Sequence, residues 1–185
     1  DSMCRCGAQI IRYRAAFARR LQEVAGPIHA EFSGNGEELK LSYVTVGSVT
    51  DCFANAADIY VQLSGHQKSH RQAEIASQSI LCGIHKDDLS IDINGVNAKK
   101  FASQGQTRTA ALSLKMAERE ISYQDTGDNP ILLLDDVLSE LDPQRQEFVL
   151  NRIGGGQTLI TCCEDERIKN RTGGRVITIA GGHVK

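Results

Sequence analysis

Apolar positions along the chain follow two different rhythms. Over residues 8–25, Ile10, Tyr13, Phe17, Leu21 and Val24 recur at spacings of three and four, which predicts a helix with one narrow apolar stripe. Arg12 and Arg19 fall on the opposite face, which reads as solvated or, more sharply, as a DNA-facing arm. Gly26-Pro27 is expected to break or kink the helix. Ser33-Gly34-Asn35-Gly36 reads as a turn, and Leu39 to Val44 alternates like a half-buried strand. Residues 51–64 and 67–81 read as two further helices. Residues 1–82 are therefore expected to form a mainly helical subdomain.

From residue 83 the pattern changes. Leu89 to Ile93 alternates as a strand, Asn94-Gly95 is a two-residue hairpin signal, and Val96 to Phe101 is expected to pair back. A helix is predicted over about 105–122, with Ala110, Leu114, Ala117 and Ile121 on one face, followed by a loop from Asp125 to Asn129. Ile131 to Leu134 is an unbroken apolar run, the mark of a parallel strand buried on both faces. Asp142-Pro143 supplies an N-cap and a proline at the first helical position. Gly154-Gly155-Gly156 ends that helix, and Thr158 to Thr161 and Val176 to Ile179 complete the strands. Residues 83–185 thus read as an α/β half-domain.

Composition narrows the function classes. The 185 residues are 41% apolar with only 5% aromatic and no Trp, so aliphatic side chains and alanine must fill the core. The formal net charge of −2 gives no overall pull toward nucleic acid or an anionic membrane, so a DNA contact needs a local basic patch. No apolar run approaches the ~20 residues that span a bilayer, and no signal peptide is expected. The six cysteines (Cys4, Cys6, Cys52, Cys82, Cys162, Cys163) lack zinc-knuckle spacing and read as thiols in a reducing cytoplasm. His66 and His70 have helical ligand spacing but no third ligand, and read as surface histidines.

Two segments carry chemistry. Ser103-Gln104-Gly105-Gln106 has the form of a capping box opening a helix, where free amides and the helix dipole favour an anion. Gln106 and Arg108 add donors. Asp135-Asp136 stands at the carboxyl end of the apolar run, where α/β folds bind ligands. The first carboxylate suits Mg²⁺ and the second an attacking water. No G-x-x-x-x-G-K-[ST] phosphate loop occurs in the chain.

Taken in order, Ser-Gln-Gly-Gln and then Ile-Leu-Leu-Leu-Asp-Asp-Val-Leu-Ser-Glu-Leu-Asp resemble the signature, Walker B and D-loop series of the ABC-type ATPases. Within them the chain resembles the RecF family, through Gly83-Ile84-His85-Lys86-Asp87-Asp88-Leu89, Ile93-Asn94-Gly95 and Lys100-Phe101-Ala102 leading into Ser103. The resemblance implies a helical arm subdomain (lobe II) at 1–82. It implies the C-terminal part of an ABC-ATPase-like P-loop head, lacking the Walker A element, at 83–185. Ser103, Gln104, Gly105 and Gln106 would be the signature, contacting ATP held by the other subunit. Asp135 would be the magnesium carboxylate, Asp136 the catalytic one, and Asp142 the D-loop aspartate. Thr161 or Cys163 occupies the switch position. Lys86 stands where the family has Arg, and Arg108 is a further donor toward phosphate or DNA.

The implied cofactors are ATP and Mg²⁺, and the implied activity is slow ATP hydrolysis by the intact protein, with the 185-residue chain inactive alone. The implied partners are single-stranded and gapped duplex DNA, RecO and RecR type proteins, and a second copy when ATP is bound. A different class, a nucleotide-independent DNA- or partner-binding module, is kept beside it. A chromosome-organising ATPase head is a third reading, disfavoured because no sustained heptad run occurs.

Overall fold

A computed structural model describes residues 2–81, 83–163 and 173–185. They form two compact units, residues 1–121 and 122–185, each described by itself.

The first unit is built on α1 (Ser2–Phe32), a helix of 31 residues. It starts earlier than its periodicity suggested and runs through Pro27 instead of ending there. The apolar spacing continues beyond the proline in Ile28 and Phe32, both buried, so packing outweighs the one hydrogen bond that proline removes. Its buried face also differs from the expected stripe. Cys4, Ala8, Ile11, Ala15, Ala18, Leu21, Ala25, His29 and Phe32 point inward at steps of three or four; of the expected stripe Leu21 is buried, whereas Tyr13 is 74% and Phe17 47% exposed. Alanines let neighbouring backbones approach. Gly7 does the same, since a Cβ there would meet Leu63 Cδ1 at 3.3 Å.

Strand β1 (Leu39–Val44) pairs antiparallel with β2 (Asp88–Ile93), with Leu41 opposite Ile91. The predicted strand, the Asn94-Gly95 turn and the return strand are all present. The return strand β3 covers only Val96–Asn97, however, because α3 (Ala98–Phe101) begins at once. Leu39, Leu41 and Ile93 are buried. Gln22, the polar residue in the seam of α1, donates Nε2 to the Leu39 carbonyl (2.9 Å) and accepts the Leu41 N–H on Oε1 (2.5 Å). α2 (Ala56–Ser77) is one helix where two were expected, opened by Asn55, whose side chain accepts the Asp58 N–H. Ile59 and Leu63 join Cys4, Ala8, Ile11 and Val49 in one core cluster. α4 (Gln104–Thr126) outruns its expected end and takes in Asp125 and Thr126, the first two residues of the anticipated loop.

In the second unit, β4 (Leu132–Asp135) and β5 (Thr158–Thr161) pair in parallel, with Asp135 opposite Thr161. β4 is not buried on both faces: Leu132 and Leu134 are buried, whereas Leu133 is 68% exposed. α5 (Pro143–Arg152) starts as predicted, with Asp142 accepting the Arg145 N–H at 3.0 Å. Its Val149 is buried, as are Leu138 and Leu141. The expected strand over Val176 to Ile179 is replaced by a small hairpin of β6 (Ile179–Ala180) and β7 (His183–Val184). Among the described residues no helix is long and apolar enough to cross a membrane.

Candidate functional site: a carboxylate loop and a capped helix

Parallel pairing sets up the first cluster. β4 delivers Asp135 at its carboxyl end, and β5 delivers Thr161 opposite it. The Thr161 hydroxyl donates to Asp135 Oδ1 at 2.5 Å and accepts the Asp136 N–H at 2.9 Å. One hydroxyl therefore ties both carboxylate residues to the neighbouring strand. Asp136 adopts a left-handed backbone with φ of 52°, a conformation that costs a non-glycine residue about 1 kcal/mol. The Ser139 hydroxyl lies 2.8 Å from both Asp136 Oδ1 and the Asp136 carbonyl, and shares its single proton between them.

Asp135 and Asp136 are exposed, and among the described residues no ion pair reaches either. Hydroxyls orient these carboxylates without cancelling their charge. A hard divalent cation is a fitting ligand for such a pair. Asp142 caps α5 and also pairs with Arg145 Nη1 at 3.4 Å. Cys162 and Cys163 are free and exposed. Glu164, next in the expected switch segment, and Cys82 lie outside the described residues.

The second cluster stands at the start of α4, in the other unit. The capping box is reciprocal: Gln106 Oε1 accepts the Ser103 N–H at 3.0 Å, and Ser103 Oγ accepts the Gln106 N–H at 3.2 Å. Gln104 and Gly105 occupy the first two helical positions, whose amides have no carbonyl a turn before them. Those amides are the donors an anion would meet. Arg108 is half-buried and engaged by a partner within the structure. Lys86 donates Nζ to the Leu81 carbonyl at 2.8 Å.

The neighbouring Asp87 is a residue whose role the motif alone did not reveal. Its side chain is 2% exposed. It accepts from Arg14 Nη1 (3.0 Å), Thr45 Oγ1 (2.7 Å) and the Tyr43 hydroxyl. Burial, and then the bond to Asp87, push the Tyr43 phenol up to about 12. Asp87 thus clamps β1, the segment after it, and α1. His66 and His70 stack with ring centroids 4.0 Å apart, and among the described residues no cluster of three His, Cys, Asp or Glu could hold a metal.

No family model matches the chain. A solved structure described as the recombination mediator protein RecF-ATPrS in the RecFOR pathway superposes with a TM-score of 0.82 at 32% identity, covering 98% of this chain and 47% of that one. A second, of RecF-ATP in the same pathway, gives 0.79 at 33% identity over 89% and 43%. A curated DNA replication and repair protein RecF from Acetivibrio thermocellus is 39% identical over 172 residues, 93% of this chain and 46% of the relative. The fold, with its mixed helices and strands, is therefore that of an ABC-ATPase-like protein. Over the stretch matched, the chain belongs to the RecF family, and it spans a little under half the length of the relatives it matches.

Proposed function

We propose that this chain supplies the signature and carboxylate elements of a RecF-type ATPase acting in DNA replication and recombinational repair. The reading takes residues 1–82 as the helical arm (lobe II) and 83–185 as the C-terminal part of the ATPase head. The protein would close as an ATP-dependent dimer on gapped single-/double-stranded DNA and promote recombinase loading with RecO and RecR type partners.

The observation that supports it best is the Thr161 bridge, which fixes an uncompensated Asp135 and a left-handed Asp136 side by side at the end of a parallel strand. Asp135 is the residue that would hold Mg²⁺, which when bound would neutralise phosphate charge. Asp136, held by Ser139, is placed to orient a water. The Gln104 and Gly105 amides, beside Ser103 and Gln106, face the nucleotide of the second subunit. Asp142 sits where the two copies would communicate. Thr161 is favoured over Cys163 as the switch residue, because it touches both carboxylate residues.

The test replaces the matching stretch of a full-length RecF relative with this chain. Ser103→Arg should abolish ATP-driven dimerisation in sedimentation while the monomer still binds ATP. Loss of monomer binding would place Ser103 in the wrong subunit's site. The 185-residue chain alone, having no phosphate loop, should show negligible MgATP binding by calorimetry, and tight binding would sink the reading.

One observation favours a second, nucleotide-independent DNA contact. Arg5, Arg12 and Arg19 form an exposed ladder on α1 at seven-residue spacing, and the same helix also exposes Tyr13 and Phe17. Aromatic and basic side chains together suit single-stranded nucleic acid. A gel shift that loses affinity with rising salt and with Arg5→Glu/Arg12→Glu supports this contact. Binding that survives both changes removes it.

A further inference from the structure

Gln106 belongs to the loop that would meet the second subunit's nucleotide, and its side chain is held at both ends. Its Oε1 accepts the Ser103 N–H, and its Nε2 donates to Glu37 Oε1 at 2.9 Å. Reversing the amide would set two donors against each other at Ser103 and two acceptors at Glu37. The orientation of Gln106 is therefore fixed by Glu37, a residue outside every motif.

Glu37 is itself fixed. Its Oε2 accepts from His29 Nε2 at 3.1 Å, and its N–H donates to Ser33 Oγ at 3.1 Å. His29 is fully buried near the end of α1. Its Nδ1 lies 3.3 Å from Ser113 Oγ. Ser113 Oγ donates to the Thr109 carbonyl, and Thr109 Oγ1 donates to the Gly105 carbonyl, each at 2.8 Å. The path that leaves the loop at Gln106 thus returns to it at Gly105. His29, Thr109 and Ser113 are all fully buried, so the His29–Ser113 and Ser113–Thr109 bonds are shielded from water and costly to leave unmade.

We propose that Glu37 and His29 are positioning residues for the Ser103–Gln106 loop, making the last turns of α1 and the start of α4 a single mechanical piece. A displacement of α1, by DNA or by a protein bound to its outer face, then reaches the nucleotide-facing loop without passing through the carboxylates. Conversely, a second subunit's nucleotide docking on Gln106 pulls on α1. This inference rests on the signature reading of Ser103 to Gln106.

The experiment uses the same full-length chimera and, in parallel, the 185-residue chain. Glu37→Ala should weaken ATP-driven dimerisation about tenfold, the loss expected for one charge-assisted hydrogen bond, with monomer ATP affinity unchanged. Glu37→Gln keeps an acceptor for Gln106 and should recover most of that loss. Ser113→Ala cuts the other branch and should give a weaker defect of the same kind, which also covers the case that Glu37→Ala fails to fold. In the 185-residue chain, Glu37→Ala should move the Gln106 side-chain amide resonances to the positions of a free glutamine. A folded Glu37→Ala that dimerises like the parent, or a Glu37→Gln as impaired as Glu37→Ala, overturns the proposal. If Ser103→Arg dimerises normally, the signature reading fails instead. Unmoved Gln106 resonances in Glu37→Ala then reject the positioning claim on their own.

Discussion

Two aspartate pairs in this chain look alike in sequence and do opposite things. Asp87-Asp88 and Asp135-Asp136 each stand where a strand meets a loop. Asp87 is buried against a guanidinium, a phenol and a hydroxyl drawn from α1, β1 and the residue after β1. Asp135 and Asp136 are exposed and meet only hydroxyls and backbone. The carboxylate that meets a cation inside its own unit is consumed by structure. The pair that meets none stays exposed, oriented by hydroxyls alone. What separates them is the set of donors brought by distant elements, which no local motif encodes.

The largest way to break the comparison is Asp87→Ala. It leaves Arg14, Tyr43 and Thr45 without their acceptor and should cost about 3 kcal/mol in urea unfolding of the first unit. Asp135→Ala should change stability by under about 1 kcal/mol, since its group is solvated. Equal losses would mean that both pairs are structural. Next, Thr161→Val should cost about 1 kcal/mol and weaken any Mg²⁺-dependent shift of the Asp135 carboxyl resonance. An unaltered metal response would deny Thr161 its orienting role.

Asp136→Gly removes the left-handed penalty and should raise stability by up to about 1 kcal/mol, less the Ser139 bond. A lowered melting point would show that the bond outweighs the backbone. The smallest effect concerns pH. The Tyr43 phenol is raised to about 12 in the fold, against 10 ordinarily, so the folded chain holds its proton longer than the unfolded one. Its stabilisation is complete below pH 10 and is lost as pH rises through about 12. Tyr43→Phe should remove that part of the alkaline slope, and a slope unchanged by the substitution would assign it to other groups.

Much of the local structure was legible in the sequence because its causes are local. The Asn94-Gly95 turn, the Ser103–Gln106 cap and the Asp142-Pro143 helix start each follow from residues within four positions of one another. The buried face of α1 was not legible for a physical reason. Hydrophobicity weights Tyr13 and Phe17 above Ala8, Ala15, Ala18 and Ala25, but close helix packing selects small side chains. The resemblance to the RecF family was legible from ordered motifs, and the structural match supports it over nearly the whole chain. Glu37, His29 and Asp87 acquire their roles only when α1 folds beside α4 or β1, across sequence separations of 69, 84 and 73 residues.

Gln22 has a consequence beyond packing. β1 is the outermost strand of its three-stranded sheet, and the Gln22 side-chain amide takes one carbonyl and one N–H of β1 as a rung of a further strand would. An outermost strand left open is a template for pairing with another chain. The Gln22 side chain thus occupies part of that edge, and Gln22→Ala should leave it open to edge-to-edge pairing with another copy, seen as increased light scattering.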